Sequence, residues 1–180
     1  MPKLLVLFQS HDPEVVRLAD AAADGARRVR FAEVDLRRLG TTDAVGHDPD
    51  GRGSRLLERV NDIAAYDGLI LVLAHGAGAG AELVRALGTF DGSLANKVGC
   101  VLSSAVGSDR PAVLWSVLTP MADRGMILVP GPFGDHEPAE GARRTGTRVA
   151  EVIGWVTHAR SHHHHDQHSH DEQSHHHHRA

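Results

Sequence analysis

Apolar and polar positions follow two rhythms along the chain, and the points where the rhythm changes predict its elements. Leu69 to Ala74 is an unbroken apolar run. Such a run implies a strand buried on both faces, as in the centre of a parallel sheet. Lys3 to Phe8, Lys97 to Ser103 and the shorter Met126 to Val129 repeat the pattern. Phe31 to Leu36 instead alternates, with Phe31 and Val34 set apart from Glu33 and Asp35, and predicts a strand covered on one face. Between the strands the spacing turns helical. Asp12 is a good N-cap with Pro13 at the first helical position, and Val15, Leu18, Ala19, Ala22 and Ala26 share a face behind it. A short helix is expected over Leu56–Ala65, and others are marked by Leu83, Val84 and Leu87, and by Leu114, Val117, Leu118 and Met121 after Pro111. The last, Ala139–Arg160, carries Val149, Val152, Ile153 and Val156. Five strands alternating with helices predict right-handed crossovers and a doubly wound α/β fold, a five-stranded parallel sheet with helices on both faces. The polar stretch Gly40–Ser54 is expected as a long loop bordering the sheet. Trp115 and Trp155 fall beside the apolar stripes of their helices, where partial burial is expected, with a subunit interface as the alternative.

The apolar pattern stops at Arg160. Ser161–Ala180 contains nothing apolar except the final alanine and holds ten of the 15 histidines. The expected organisation is therefore a folded unit over 1–160 and a disordered histidine-rich tail over 161–180. Neutral imidazoles are ligands for nickel, zinc, copper or cobalt. The candidate metal ligands are His162, His163, His164, His165, His168, His170, His175, His176, His177 and His178, with affinity expected to fall below about pH 6 as protons compete. Interruption by Asp166, Gln167, Asp171, Glu172 and Gln173 favours a native segment over a purification tag. Net charge is 19 − 23 = −4 with neutral histidine, and the basic residues are scattered, so a nucleic-acid partner is not expected. No stretch resembles a signal peptide or membrane span, which makes cytoplasmic residence the expectation. Cys100 sits inside an apolar run and is expected in the core rather than as a nucleophile.

In open α/β sheets ligands lie at the carboxyl ends of the strands, so the turn His75–Gly80 after the central strand is the expected floor of a site. Gly76, Gly78 and Ala81 fit G-x-G-x-x-A, a turn that can hold phosphate through backbone N–H groups or simply pack tightly. His75 is either a proton donor to a ligand or a plain hydrogen-bonded histidine. The first strand is followed by Gln9 to Glu14, without the glycine fingerprint of the common dinucleotide fold. No nucleophile and base stand at a recognisable spacing, so hydrolysis has no support.

Several segments carry a family likeness: KLLVLFQS at the start, Ala23-Asp24-Gly25, Tyr66-Asp67-Gly68, Arg85, Lys97 through Ser103-Ser104, Arg124-Gly125-Met126 with Pro130, and Ala142 to Glu151. With these the chain resembles the WrbA family of flavodoxin-like NAD(P)H:quinone oxidoreductases over most of residues 1 to 158. The resemblance implies a flavodoxin-like fold and FMN held by three strand-end loops, with Ser10, His75, Gly76, Gly78, Ser104 and Gly107 at the matching positions. It also implies a homo-oligomer, dimer or tetramer, whose neighbours complete the sites. Departures from the family cluster in those loops. Pro13 stands where a glycine is usual and has no N–H, Glu14 follows it, the second loop keeps little but small residues, and the third ends on Asp109. A dianionic phosphate about 5 Å from one carboxylate is opposed by several kcal/mol at an effective dielectric of about 20. The expectation is a weakened or lost FMN site with a divalent-metal-binding tail. The alternative is a working FMN-dependent NAD(P)H:quinone oxidoreductase that grips its flavin by backbone groups.

Overall fold

The computed structural model describes residues 1–9, 12–39, 55–57, 60–75, 80–90, 92–105, 107, 109–132 and 137–173. Its strands are β1 (Lys3–Phe8), β2 (Glu33–Leu39), β3 (Arg55–Leu57), β4 (Gly68–Leu73), β5 (Val98–Ser103) and β6 (Ile127–Leu128). They form one sheet in the order β3-β2-β1-β4-β5-β6, and every pairing is parallel. The five expected strands are all there. A sixth, β3, is added at the edge because Arg55–Leu57, whose last two residues were expected to begin a helix, pair with Arg37–Leu39 instead. Only a 3₁₀ helix, Val60–Ala65, remains of the helix expected over 56–65.

The unbroken apolar runs are central, as their patterning requires. Leu69 to Leu73 in β4 and Leu4 to Phe8 in β1 are each no more than 2% exposed. Burying each such side chain contributes roughly 1.5–3 kcal/mol. Alternate residues feed two cores. Leu4, Val6, Ile70, Val72 and Cys100 face one layer, formed with α1 (Pro13–Arg27) and α4 (Pro138–Gln173). Leu5, Leu7, Leu69, Leu71 and Val101 face the other, formed with α2 (Ala81–Thr89) and α3 (Asp109–Asp123). Burial pushes the Cys100 thiol up to about 12, so it remains protonated and inert.

Small residues let α1 and α4 touch backbone to backbone. A Cβ on Gly25 would stand 1.9 Å from the Arg143 carbonyl oxygen, and one on Gly146 would stand 1.9 Å from that of Ala22. The Thr147 hydroxyl donates to the Gly25 carbonyl at 2.9 Å across the seam. The helix α4 runs antiparallel to the strands. Ala142 lies beside Ser103 at the carboxyl end of β5, Ile153 packs on Gly68 at the start of β4, and the Arg160 guanidinium donates to the Asn96 carbonyl just before β5.

Two expectations are corrected. Trp115 and Trp155 are 58% and 57% exposed, beyond the partial burial expected, because each falls on the solvent side of its helix; the Arg148 guanidinium covers the Trp155 ring at 4.8 Å. The last helix does not stop at Arg160 but continues to Gln173. Residues 161–173 contain neither glycine nor proline, so nothing in the backbone interrupts the i to i−4 ladder. Residues 174–180 lie outside the described residues.

Candidate functional site at the strand ends

The β1–α1 turn ends on Asp12, which caps α1. Its carboxylate accepts the Glu14 N–H at 2.9 Å, and Pro13 at the first helical position has no N–H to offer. An anion would normally settle on those first N–H groups. Here the helix carries its own. Glu14 contributes less to this field than the sequence suggests, because its carboxylate takes a hydrogen bond from Arg17 at 2.8 Å.

His75, just past β4, approaches the same cap, with its Nδ1 3.7 Å from an Asp12 carboxylate oxygen. That separation is longer than a hydrogen bond, and the imidazole is 73% exposed. On the other side the Ser104 N–H donates to the Leu73 carbonyl at 3.0 Å, extending the β4–β5 ladder. The Ser103 hydroxyl accepts the Ala105 N–H at 3.0 Å. Among the described residues the Ser104 Oγ is buried without a hydrogen-bond partner, a costly arrangement unless something else fills it. Gly107 adopts a left-handed φ of 65° with open space around it.

His75, Ser104 and Gly107 therefore lie at the carboxyl ends of β4 and β5, as expected. Ser10, Gly76 and Gly78 lie outside the described residues. Arg110 was not singled out by sequence reasoning. Its Nε donates to the Ala105 carbonyl at 2.6 Å, bracing the third loop, and its side chain lines a pocket with Leu18, Ser103, Pro132, Pro138 and Ala142. The available signal was a single cation inside a loop that otherwise offers serines and Asp109.

The strongest electrostatic perturbations lie elsewhere. The Tyr66 hydroxyl donates to Asp35 at 2.6 Å. Burial, and then the carboxylate, push Tyr66 up to about 12. That hydroxyl is also the main reason Asp35 is held below the usual carboxylate range. The Lys97 ammonium donates to the carbonyls of Ala64 and Tyr66 at 3.0 and 2.5 Å, and burial lowers its pKa. These groups brace the half of the sheet where the strands begin and have no part in the strand-end site.

Among the described residues no group of three or more histidine, cysteine, aspartate or glutamate side chains could hold a metal ion. His162, His163, His164, His165, His168 and His170 ride on the helical backbone of α4, though their side chains lie outside the description; His175, His176, His177 and His178 lie outside it altogether. Among the described residues no helix is long and apolar enough to cross a membrane.

No protein-family model matches the sequence. Solved structures do match the fold. A flavodoxin, WrbA-like protein from Agrobacterium tumefaciens is 17% identical, with 87% of this chain and 99% of that one covered at a TM-score of 0.54. The fold is flavodoxin-like. A diflavin flavoprotein A3 from Nostoc sp. matches at 22% identity and a TM-score of 0.58, over 90% of this chain and 97% of that one. An NADH:FMN oxidoreductase in its apo form matches at 15% identity and a TM-score of 0.60, over 84% and 90%. The core strands β2-β1-β4-β5-β6 have the 2-1-3-4-5 order of flavodoxin-like sheets.

Among the described residues, the FMN fit can be tested at the α1 N-terminus alone. A phosphate at the α1 N-terminus would meet the Asp12 carboxylate already seated on the Glu14 N–H.

Proposed function

We propose that this chain is a divergent WrbA-like protein whose FMN site is weakened or lost and whose histidine-rich carboxyl-terminal segment binds divalent transition metal, nickel, zinc, copper or cobalt. One observation carries the first half: the Asp12 side chain occupies the helix N-terminus that a flavin phosphate would need. The energetics support it. Displacing an N-cap costs about 1 kcal/mol, and the repulsion between carboxylate and phosphate adds several kcal/mol more before screening. The metal half rests on the ten histidines of 161–180 and the affinity of neutral imidazole for these ions. On this reading the protein performs no flavin chemistry of its own at ordinary flavin concentrations.

A second reading is favoured by the orphaned Ser104 Oγ, together with the oxidoreductase among the structural neighbours. A buried hydroxyl without a partner is a position that a ligand's polar edge could satisfy. In this alternative the chain is an FMN-dependent NAD(P)H:quinone oxidoreductase, assembled as a dimer or tetramer whose neighbouring copies complete the loops.

The two readings part on colour. Protein purified without added cofactor should be colourless, and flavin fluorescence should persist when it is titrated into FMN at micromolar concentration. Yellow protein, or stoichiometric quenching, would reject the first reading in favour of the second.

A further inference from the structure

The sheet stops short at one edge, and a pocket opens there. The strand β6 pairs with β5 only at Val98 and Gly99, and Pro130, two residues after β6, has no N–H to carry the ladder on. Among the described residues no strand therefore covers the carboxyl half of β5 on that side. Side chains from both layers close around the gap instead. Leu18 of α1 and Ala142 of α4 come from one core, Leu114 of α3 comes from the other, and Pro132 and Pro138 complete the wall. The pocket is partly open to solvent and has room at its centre for about one water-sized group, about 10 Å³.

Two polar side chains, Arg110 and Ser103, also line it. The prolines add no N–H donors. The Arg110 guanidinium is held in place through its Nε, which donates to the Ala105 carbonyl at 2.6 Å, and its Nη groups have no partner among the described residues. The Glu140 carboxylate, in the first turn of α4, pairs with Arg143 instead. Ser103 is 8% exposed. Its oxygen accepts the Ala105 N–H at 3.0 Å, which leaves the hydroxyl hydrogen to donate. The pocket thus presents donors and one positive charge among apolar side chains. A planar carboxylate answers both, since a guanidinium fork takes its two oxygens side by side. A dianionic phosphate would bring a second negative charge to a wall with one cation, at a desolvation cost that nothing else in the lining offsets.

We propose that Arg110 and Ser103 form a binding site for a short-chain aliphatic monocarboxylate, with the guanidinium and the hydroxyl holding the carboxylate and the apolar side chains around them covering the tail. The Nε bond fixes the guanidinium before the ligand arrives, which lowers the ordering cost of binding. The site is distinct from the corner at Asp12 and His75, which lies at the ends of β1 and β4. It needs neither flavin nor metal.

The test is amide NMR of the full chain titrated with sodium propionate, with propionamide and inorganic phosphate in parallel at matched ionic strength. Propionamide has nearly the same shape without the charge. Propionate should shift the Ala105, Arg110 and Ala142 amide signals saturably in the millimolar range. Propionamide and phosphate should each bind at least about tenfold more weakly, a difference of about 1.4 kcal/mol. Arg110→Gln should weaken propionate by a similar factor, and Ser103→Ala by at least about twofold, the loss of one hydrogen bond. The comparison of propionate with propionamide uses the unaltered chain, so it decides the matter even if a variant fails to fold. No saturable shift, propionamide or phosphate binding as tightly as propionate, or an unchanged propionate affinity in a folded Arg110→Gln variant would each overturn the proposal.

Discussion

At Gly25 and Gly146 a single methyl group decides whether α1 and α4 can meet. Each would drive a Cβ to 1.9 Å from a carbonyl oxygen of the facing helix, and backbone cannot swing aside as a side-chain tip can. Gly25→Ala or Gly146→Ala should cost about 3 kcal/mol, at the upper end of overpacking effects, read as a lower urea midpoint. Gly154, on the same helix α4, has nothing within 4 Å of its would-be Cβ; Gly154→Ala should gain about 0.5–1 kcal/mol from helix propensity. Tyr66 and Asp35 make a second residue-scale prediction. Asp35 is held low by the Tyr66 hydroxyl, so their contact adds stability above the unfolded carboxylate value of about 3.9 and loses it as pH falls from there. Tyr66 is raised to about 12, so its share is intact below the unfolded value of about 10 and is lost as pH climbs from there. Tyr66→Phe should cost about 1 kcal/mol at neutral pH. Its alkaline arm in a stability–pH curve should also be flatter than that of the unaltered chain. An identical alkaline slope would show that the tyrosine ionises equally in both states.

The elements show which signals were legible in the sequence. Uninterrupted apolar runs marked β1, β4 and β5 because both faces of a central parallel strand are buried, and those strands are the most deeply buried in the fold. The Asp12-Pro13 start of α1 was equally plain, since the cap chemistry is local. Arg55–Leu57 was not: three residues carry too little pattern to separate an edge strand from the first turn of a helix, and long-range pairing with β2 decides the outcome. The continuation of α4 past Arg160 was hidden for a different reason. Amphipathic periodicity marks only the part of a helix that packs against something, and the polar remainder propagates from it without a periodic signature. Arg110 escaped notice because its role comes from the Ala105 carbonyl it braces, a partner set by loop geometry rather than by spacing.

At the scale of the whole molecule the two ends of the sheet carry different residue types. The carboxyl ends of β1, β4 and β5 gather Asp12, His75, Ser104 and Gly107, the place where a flavodoxin-like sheet offers its ligand site. The histidine-rich helix leaves from the opposite end, past Arg160 and Asn96. The α1 N-terminus, at the carboxyl ends of the strands, is capped by its own carboxylate, Asp12. Residue types alone pointed to acidic crowding, but they did not distinguish Asp12, which sits on the helix N–H groups, from Glu14, which is drawn off by Arg17. That distinction is testable by comparing FMN with riboflavin, which has the same ring system without the phosphate. Asp12→Ser retains an N-cap of similar strength and removes the charge. If Asp12 excludes the phosphate, the unaltered chain should bind FMN no better than riboflavin, and Asp12→Ser should favour FMN by at least about tenfold, or about 1.4 kcal/mol. A strong preference for FMN in the unaltered chain, unchanged in Asp12→Ser, would contradict the account.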